Sequence, residues 1–147
     1  MSEGRHHIYV VDDDEPYRRS IVRLLKSAGY VAASFSSAQQ FLDSVAVNGV
    51  TGVLILDLRM PGMDGFDLQK RMNELKSRLK IIFITADAHS GDQEHALGSG
   101  AVAFFRKPFN DQLLIEKINQ ALSIFATEQD PAAKKQQGAP APTLRKD

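Results

Sequence analysis

Five polar side chains of this chain stand where apolar runs stop. Asp12 and Asp13 follow "IYVV" (8–11), Asp57 closes "GVLILD", Thr85 lies in "FITAD" and Lys107 in "FFRKPF". Two carboxylates about 4 Å apart repel by roughly 4 kcal/mol at an effective dielectric of about 20. That repulsion raises one of their pKa values by about 3 units. Three clustered acids therefore stay ionised near neutrality only beside cations. Lys107 supplies one positive charge and a divalent metal two. Oxygen donors, few in number and with room for water, suit Mg2+ or Mn2+ and argue against zinc. A carboxylate flanked by such a metal, a lysine and a hydroxyl is equipped to hold a phosphoryl group. Transfer of that group needs in-line positioning and neutralisation of its equatorial oxygens. The protein's own carboxylate is the natural nucleophile, giving an aspartyl phosphate. Asp57 is the best candidate, between the acid pair on one side and Thr85 with Lys107 on the other.

Alternating strands and helices must bring these residues together. "IYVV" reads as a strand and leads into 16–29, where Ile21, Leu24, Leu25 and Ala28 form an amphipathic stripe. Pro16 fits the first helical turn and Gly29 the C-terminal stop. A weaker strand, 30–35, precedes a helix over 37–49 with Ser36 or Ser37 as cap. "GVLILDL" (52–58) is apolar on both faces, as a central strand of a covered parallel sheet must be. Asp64 caps a helix over 65–78 with Leu68, Met72 and Leu75 inward. Strands follow over 80–86 and 101–107, separated by a poor, glycine-containing helix over 90–100. Asn110 caps the last helix, 111–126, whose inward face is Leu114, Ile118, Ala121, Leu122 and Phe125. The pattern is (βα)5, an α/β doubly wound fold with a five-stranded parallel sheet covered on both sides. In such a sheet the ligand site lies at the carboxyl ends of the strands, and each of the five polar residues falls at such an end.

The chain has 147 residues, enough for one domain of ordinary size. Lys plus Arg (18) equals Asp plus Glu (18), so no net field draws it to nucleic acid or an anionic membrane. The absence of cysteine removes disulfides, thiol catalysis and thiolate metal sites, which suits a cytoplasmic location. No apolar run approaches a membrane span, and the N-terminus lacks a signal-peptide layout. From Thr127 to Asp147 the composition turns to Pro, Ala, Lys and Gln, which reads as a flexible linker or tail after a domain over 1–126. His6, His7, His89 and His95 have no metal spacing and read as surface residues.

With these residues assembled, the chain resembles the receiver domains of two-component response regulators over about residues 7–126. The motifs are "VVDD" (10–13), "LILDLRMPGMDG" (54–65), "FITAD" (83–87) and "FFRKPF" (104–109), with 57, 85 and 107 spaced 28 and 22 residues apart. The resemblance implies the flavodoxin-like strand order 2-1-3-4-5. It implies Asp57 as phosphoacceptor, Asp13 as a direct Mg2+ ligand with Asp12 acting through water, and the backbone carbonyl of Arg59 as a further ligand. Thr85 and Lys107 would each meet a phosphoryl oxygen, Phe104 would be the aromatic of a switch with Thr85, and the bond before Pro108 would be cis. The donor would be a phosphohistidine on a sensor kinase or phosphotransfer protein. The activity would be self-phosphorylation and slow autodephosphorylation of a signalling switch, not a metabolic reaction, with a homodimer on phosphorylation as one output. Asp14 and Glu15 extend the acidic run and favour the positive N-terminus of the helix that follows.

Three rivals meet contrary residues. A haloacid-dehalogenase-type phosphatase also uses a strand-end aspartate and Mg2+ but needs a second aspartate two residues on, where this chain has Arg59. A nucleotide-binding doubly wound domain needs a glycine-rich turn after the first strand, where this chain has "DDDEP", and "GSG" (98–100) precedes a strand. A degenerate receiver would lack an acid, threonine or lysine position, and none is missing. Nothing in 1–126 looks like a recognition helix. The tail and "FSSAQQFLDS" leave two readings, a stand-alone receiver or the regulatory half of a DNA-binding transcription factor.

Overall fold

The computed structural model describes residues 6–129. The stretch 130–147 of the expected linker or tail lies outside the described residues. Strands β1 (His7–Val11), β2 (Ala32–Phe35), β3 (Thr51–Asp57), β4 (Arg78–Thr85) and β5 (Ala103–Arg106) form one sheet in the order β2-β1-β3-β4-β5. Every neighbouring pair is parallel. Helices α1 (Glu15–Ser27), α2 (Ala38–Ser44), α3 (Gly65–Glu74), α4 (Asp92–Gly98) and α5 (Asp111–Gln129) connect them. This is the expected (βα)5 sheet with its expected order.

Period-2 alternation sends each strand's side chains to two cores. Leu54, Leu56 and Phe83 meet α2, α3 and α4 on one side, while Val53, Ile55, Ile82 and Ile84 meet α1 and α5 on the other. Every residue of β3 after Thr51 is buried, which is why its sequence carries no polar face. The helical stripes face inward as read, with Leu24 and Leu122 half-buried at their margins. Ile21 and Leu25 are buried but Ala28 is exposed, because it caps α1 instead of continuing it. Leu75, likewise the cap of α3, is only half-buried.

Helix ends account for most of the differences from the sequence expectation. α1 closes on Gly29 (φ 91°), with Tyr30 N–H donating to the Leu25 carbonyl and Gly29 N–H to that of Lys26. α3 closes by the same pair of bonds, Ser77 to Met72 and Lys76 to Asn73, but with Lys76 at φ 57° in the left-handed position. Glycine is the usual occupant there, so a lysine gave no stop signal. The helix consequently ends at Glu74, not 78, and β4 begins at Arg78, not 80. α2 stops at Ser44 where β-branched Val45 turns extended, and Val47–Gly49 forms a short 3-10 turn that buries Val47. α4 is a regular but shorter helix than 90–100, and α5 runs to Gln129 instead of ending at Ala126. Among the described residues no helix is long and apolar enough to cross a membrane.

Candidate functional site

The sheet delivers the five residues to one edge. β1 ends at Val11 and Asp12 follows, fully buried, its N–H bonded to the Phe35 carbonyl at the end of β2 (3.2 Å). β3 ends on Asp57 and β4 on Thr85, both buried. Lys107 stands one residue beyond β5 and not within it, with its N–H on the Thr85 carbonyl (2.8 Å). The Lys107–Pro108 peptide is cis.

Asp12 has a partner for each oxygen. Its Oδ1 accepts from the Asp14 N–H (3.0 Å), its Oδ2 from Lys107 Nζ (2.9 Å) and its carbonyl from Arg18 Nη1 (2.7 Å). Asp14 in turn caps α1 by accepting from Tyr17 N–H (3.2 Å), a more specific role than dipole compensation alone. Lys107 Nζ lies 3.9 Å from Asp57 Oδ1, so the ammonium sits closer to Asp12 than to Asp57. Carboxylate oxygens of Asp12, Asp13 and Asp57 all lie within 4.8 Å of one another. Asp13 is the exposed member of the three.

Burial, and then the charge of Asp12, pushes the Asp57 carboxyl up from 3.8 to about 8, against the opposing pull of Lys107. Three carboxylates facing one ammonium leave an excess of two negative charges when all are ionised. A compact all-oxygen donor set with that excess fits a hard divalent cation. It is also the one group of acids or histidines among the described residues close enough to hold a metal ion.

α3 comes up tightly beneath Asp57. A Cβ on Gly65 would lie 2.7 Å from the Asp57 carbonyl oxygen and 2.9 Å from Phe83 Cε1, so only glycine lets the helix start there. Thr85 Oγ1 accepts from Asp87 N–H (3.0 Å), which leaves its own proton free to donate. Phe104 and Phe105 point to opposite sides of the sheet. Phe104 packs on the α2–α4 core with its ring centroid 6.4 Å from Phe83, while Phe105 lies 6.0 Å from Phe109 on the α5 side.

Three contributors escaped the sequence reading. Tyr17 places its ring under Lys107 Nζ, 4.3 Å from the centroid; it lies four residues before Ile21, so the inward stripe extended back to it. Arg18, which holds the Asp12 carbonyl, carries no such signal. The Arg59 side chain donates to Asp92 and, from Nε, to the Asp87 carbonyl (3.3 Å), while Asp92 Oδ2 also accepts from His89 N–H (2.7 Å). Burial works to raise the Asp92 carboxyl, but these hydrogen bonds and the guanidinium outweigh it and hold it below its ordinary value. The histidines are dispersed: His7, His89 and His95 are exposed, and half-buried His6 meets Thr51 Oγ1 (2.8 Å).

The family model for the response regulator receiver domain matches residues 8–119. Response regulator protein TodT of Pseudomonas putida is 37% identical over 134 residues, 91% of this chain and 59% of that protein. Transcriptional regulatory protein FixJ of Bradyrhizobium diazoefficiens is 41% identical over 129 residues, 87% of this chain and 60% of that protein. The chain thus spans about three-fifths of the length of these curated relatives. The crystal structure of a response regulator receiver protein from Burkholderia phymatum superposes with a TM-score of 0.70 at 40% identity, covering 81% of this chain and 96% of that one. Neither the phosphatase reading nor that of a transcription factor's regulatory half is favoured by these findings.

Proposed function

The chain belongs to the response regulator receiver domains of two-component systems, proteins phosphorylated by kinases, and we propose that Asp57 is its phosphoacceptor. One observation carries this reading: buried Asp57 lies beside Asp12, Asp13 and Lys107 at the carboxyl edge of the sheet. A phosphohistidine on a sensor kinase or phosphotransfer protein is the donor. An Asp57 oxygen attacks in line, forming the new O–P bond as the donor's N–P bond breaks, and the leaving imidazole keeps the electron pair. Asp12, Asp13, Asp57 and the Arg59 carbonyl would hold Mg2+, which supplies charge neutralisation for the phosphoryl oxygens.

The chain's own groups do the rest. Lys107 stands between the Asp12 and Asp57 carboxylates and can follow the negative charge from one to the other. Thr85 has a hydroxyl proton to donate to a phosphoryl oxygen. Engaging it would cost the Asp87 N–H its acceptor and shift the chain after β4, while Phe104, partly buried beside Phe83, repacks. The functional unit extends through the end of α5 at Gln129, with the Pro/Ala-rich stretch after it as linker or tail, and the protein works in the cytoplasm.

Intact-mass measurement after incubation with acetyl phosphate and Mg2+ tests this. One phosphoryl adduct is expected on the wild type, none on Asp57→Asn and none after EDTA. An undiminished adduct on Asp57→Asn would refute the assignment of the acceptor.

A further inference from the structure

Lys107 packs against an aromatic ring that neither charge pairing nor the strand-end motifs require. Its Nζ lies over the Tyr17 ring, 4.3 Å from the centroid, and Tyr17 meets Phe109 edge-on at 5.9 Å. Phe109 stands two residues after Lys107, on the far side of the cis bond to Pro108. Tyr17 comes from the first turns of α1, where the Asp14 cap fixes its backbone. The Tyr17 ring, backed edge-on by Phe109, thus stands against a lysine whose side chain is only 7% exposed.

We propose that Tyr17 is a positioning residue that sets where the Lys107 ammonium stands between Asp12 and Asp57. The inference rests on the phosphoacceptor reading of Asp57 and goes beyond it to a residue of α1. A lysine ammonium on a four-carbon stem samples many rotamers when nothing confines it. Here one face of the cation meets the Asp12 carboxylate at 2.9 Å and another the π face of Tyr17. The ring attracts the cation without forming a directed bond to it. Lys107 can therefore slide from Asp12 toward a phosphoryl group on Asp57 without leaving the ring, whereas a second carboxylate in that place would hold it back. The phenolic hydroxyl plays no part in this attraction, so phenylalanine should serve as well as tyrosine.

Two measurements on the full chain decide it. In metal-free protein the Lys107 Hε protons, close to the ring face, should resonate upfield of ordinary lysine values. The shift should persist in Tyr17→Phe and vanish in Tyr17→Leu. Labelling of Asp57 by acetyl phosphate with Mg2+, in which the acetyl C–O–P linkage yields its phosphoryl group and acetate leaves, should be about tenfold slower in Tyr17→Leu and within about twofold of wild type in Tyr17→Phe. Tyr17→Met, unbranched and helix-compatible, replaces the leucine variant if that one fails to fold. An unshifted Lys107 in the wild type overturns the proposal, as does a normal labelling rate in a folded variant that has lost the shift. Equal losses in Tyr17→Phe and Tyr17→Leu overturn it too, since they would assign the effect to the hydroxyl. Failure of the wild type to label at all removes the acceptor reading and this one with it. A retained resonance shift then shows that the lysine–ring contact itself was not at fault.

Discussion

On the β1 side of the site, Asp12 is wholly buried and each of its three oxygens is bonded, to Asp14, Lys107 and Arg18. On the β4–α4 side, the polar contacts run between Thr85, Asp87, His89, Asp92 and Arg59, and of these Asp87 and His89 are exposed. The Arg59–Asp92 pair leaves 31% of the arginine side chain and 11% of the aspartate exposed. A buried, bonded charge is costly to disturb because removing one partner leaves the other desolvated. An ion pair whose arginine reaches water is worth less, on the order of 1 kcal/mol. The first wall is therefore preset and the second exchangeable, an arrangement that suits a domain that must hold reactants on one side and move on the other.

Breaking the preset wall should give the largest effect. Lys107→Met strands the Asp12 carboxylate in a site with no exposure, and should lower unfolding stability by about 3 kcal/mol. On the role proposed for Lys107 at the phosphoryl oxygens, its loss should also slow acetyl phosphate labelling roughly 100-fold or more. Denaturant melts and the mass assay check both. A variant of unchanged stability would mean that the Lys107–Asp12 bond does not hold this wall.

Relieving the excess charge should act the other way. Asp57 loses its proton near 3.8 when unfolded but near 8 when folded. Between those values the folded state binds more protons, so this group's contribution to stability falls as pH rises. Asp57→Asn should thus raise the stability of metal-free protein, by about 2 kcal/mol at pH 8 and much less at pH 5. Mg2+ should stabilise the wild type more than the variant. Melts across pH 4–9 with and without Mg2+ test it; a gain independent of pH would place its cause outside Asp57 ionisation.

The strand-end residues of both walls were legible in the sequence, and the partners that hold them were not. Asp12, Asp13, Asp57, Thr85 and Lys107 each follow an apolar run, and a parallel sheet sends all such ends to one edge. The α1, α3 and α5 stripes were legible for the same reason: period fixes a face without knowledge of the partner. Partners across space carry no such mark. Arg59, on the loop after β3, and Asp92, at the start of α4, are 33 residues apart, and Arg18 looks like any solvated helix charge. Lys76 hid the end of α3 because left-handed geometry was read only where glycine stood. Phe104 and Phe105 could be assigned to opposite faces from alternation, but only the β4–β5 register, Phe83 to Phe104, fixes which face is which.

The exchangeable wall should respond weakly, and in a manner that salt can imitate. Arg59→Ala removes the guanidinium bonded to Asp92 and the Asp87 carbonyl, but leaves Asp92 its bond from the His89 N–H. Global stability should change by less than about 1 kcal/mol. Asp92 is held below its ordinary value by the groups that clip it, so its contribution is present at neutral pH and lost as pH falls through the carboxylate range. Local opening should therefore show where global melting does not: the His89 amide should exchange a fewfold faster in Arg59→Ala at neutral pH. High salt should speed the same amide in the wild type, because the partly exposed guanidinium is screened, and should add little in the variant. Amides bonded within the Asp12 network, such as that of Asp14, should be indifferent to either change. Equal acceleration on both sides would mean that the two walls open as one unit, and the division between a holding side and a moving side would fail.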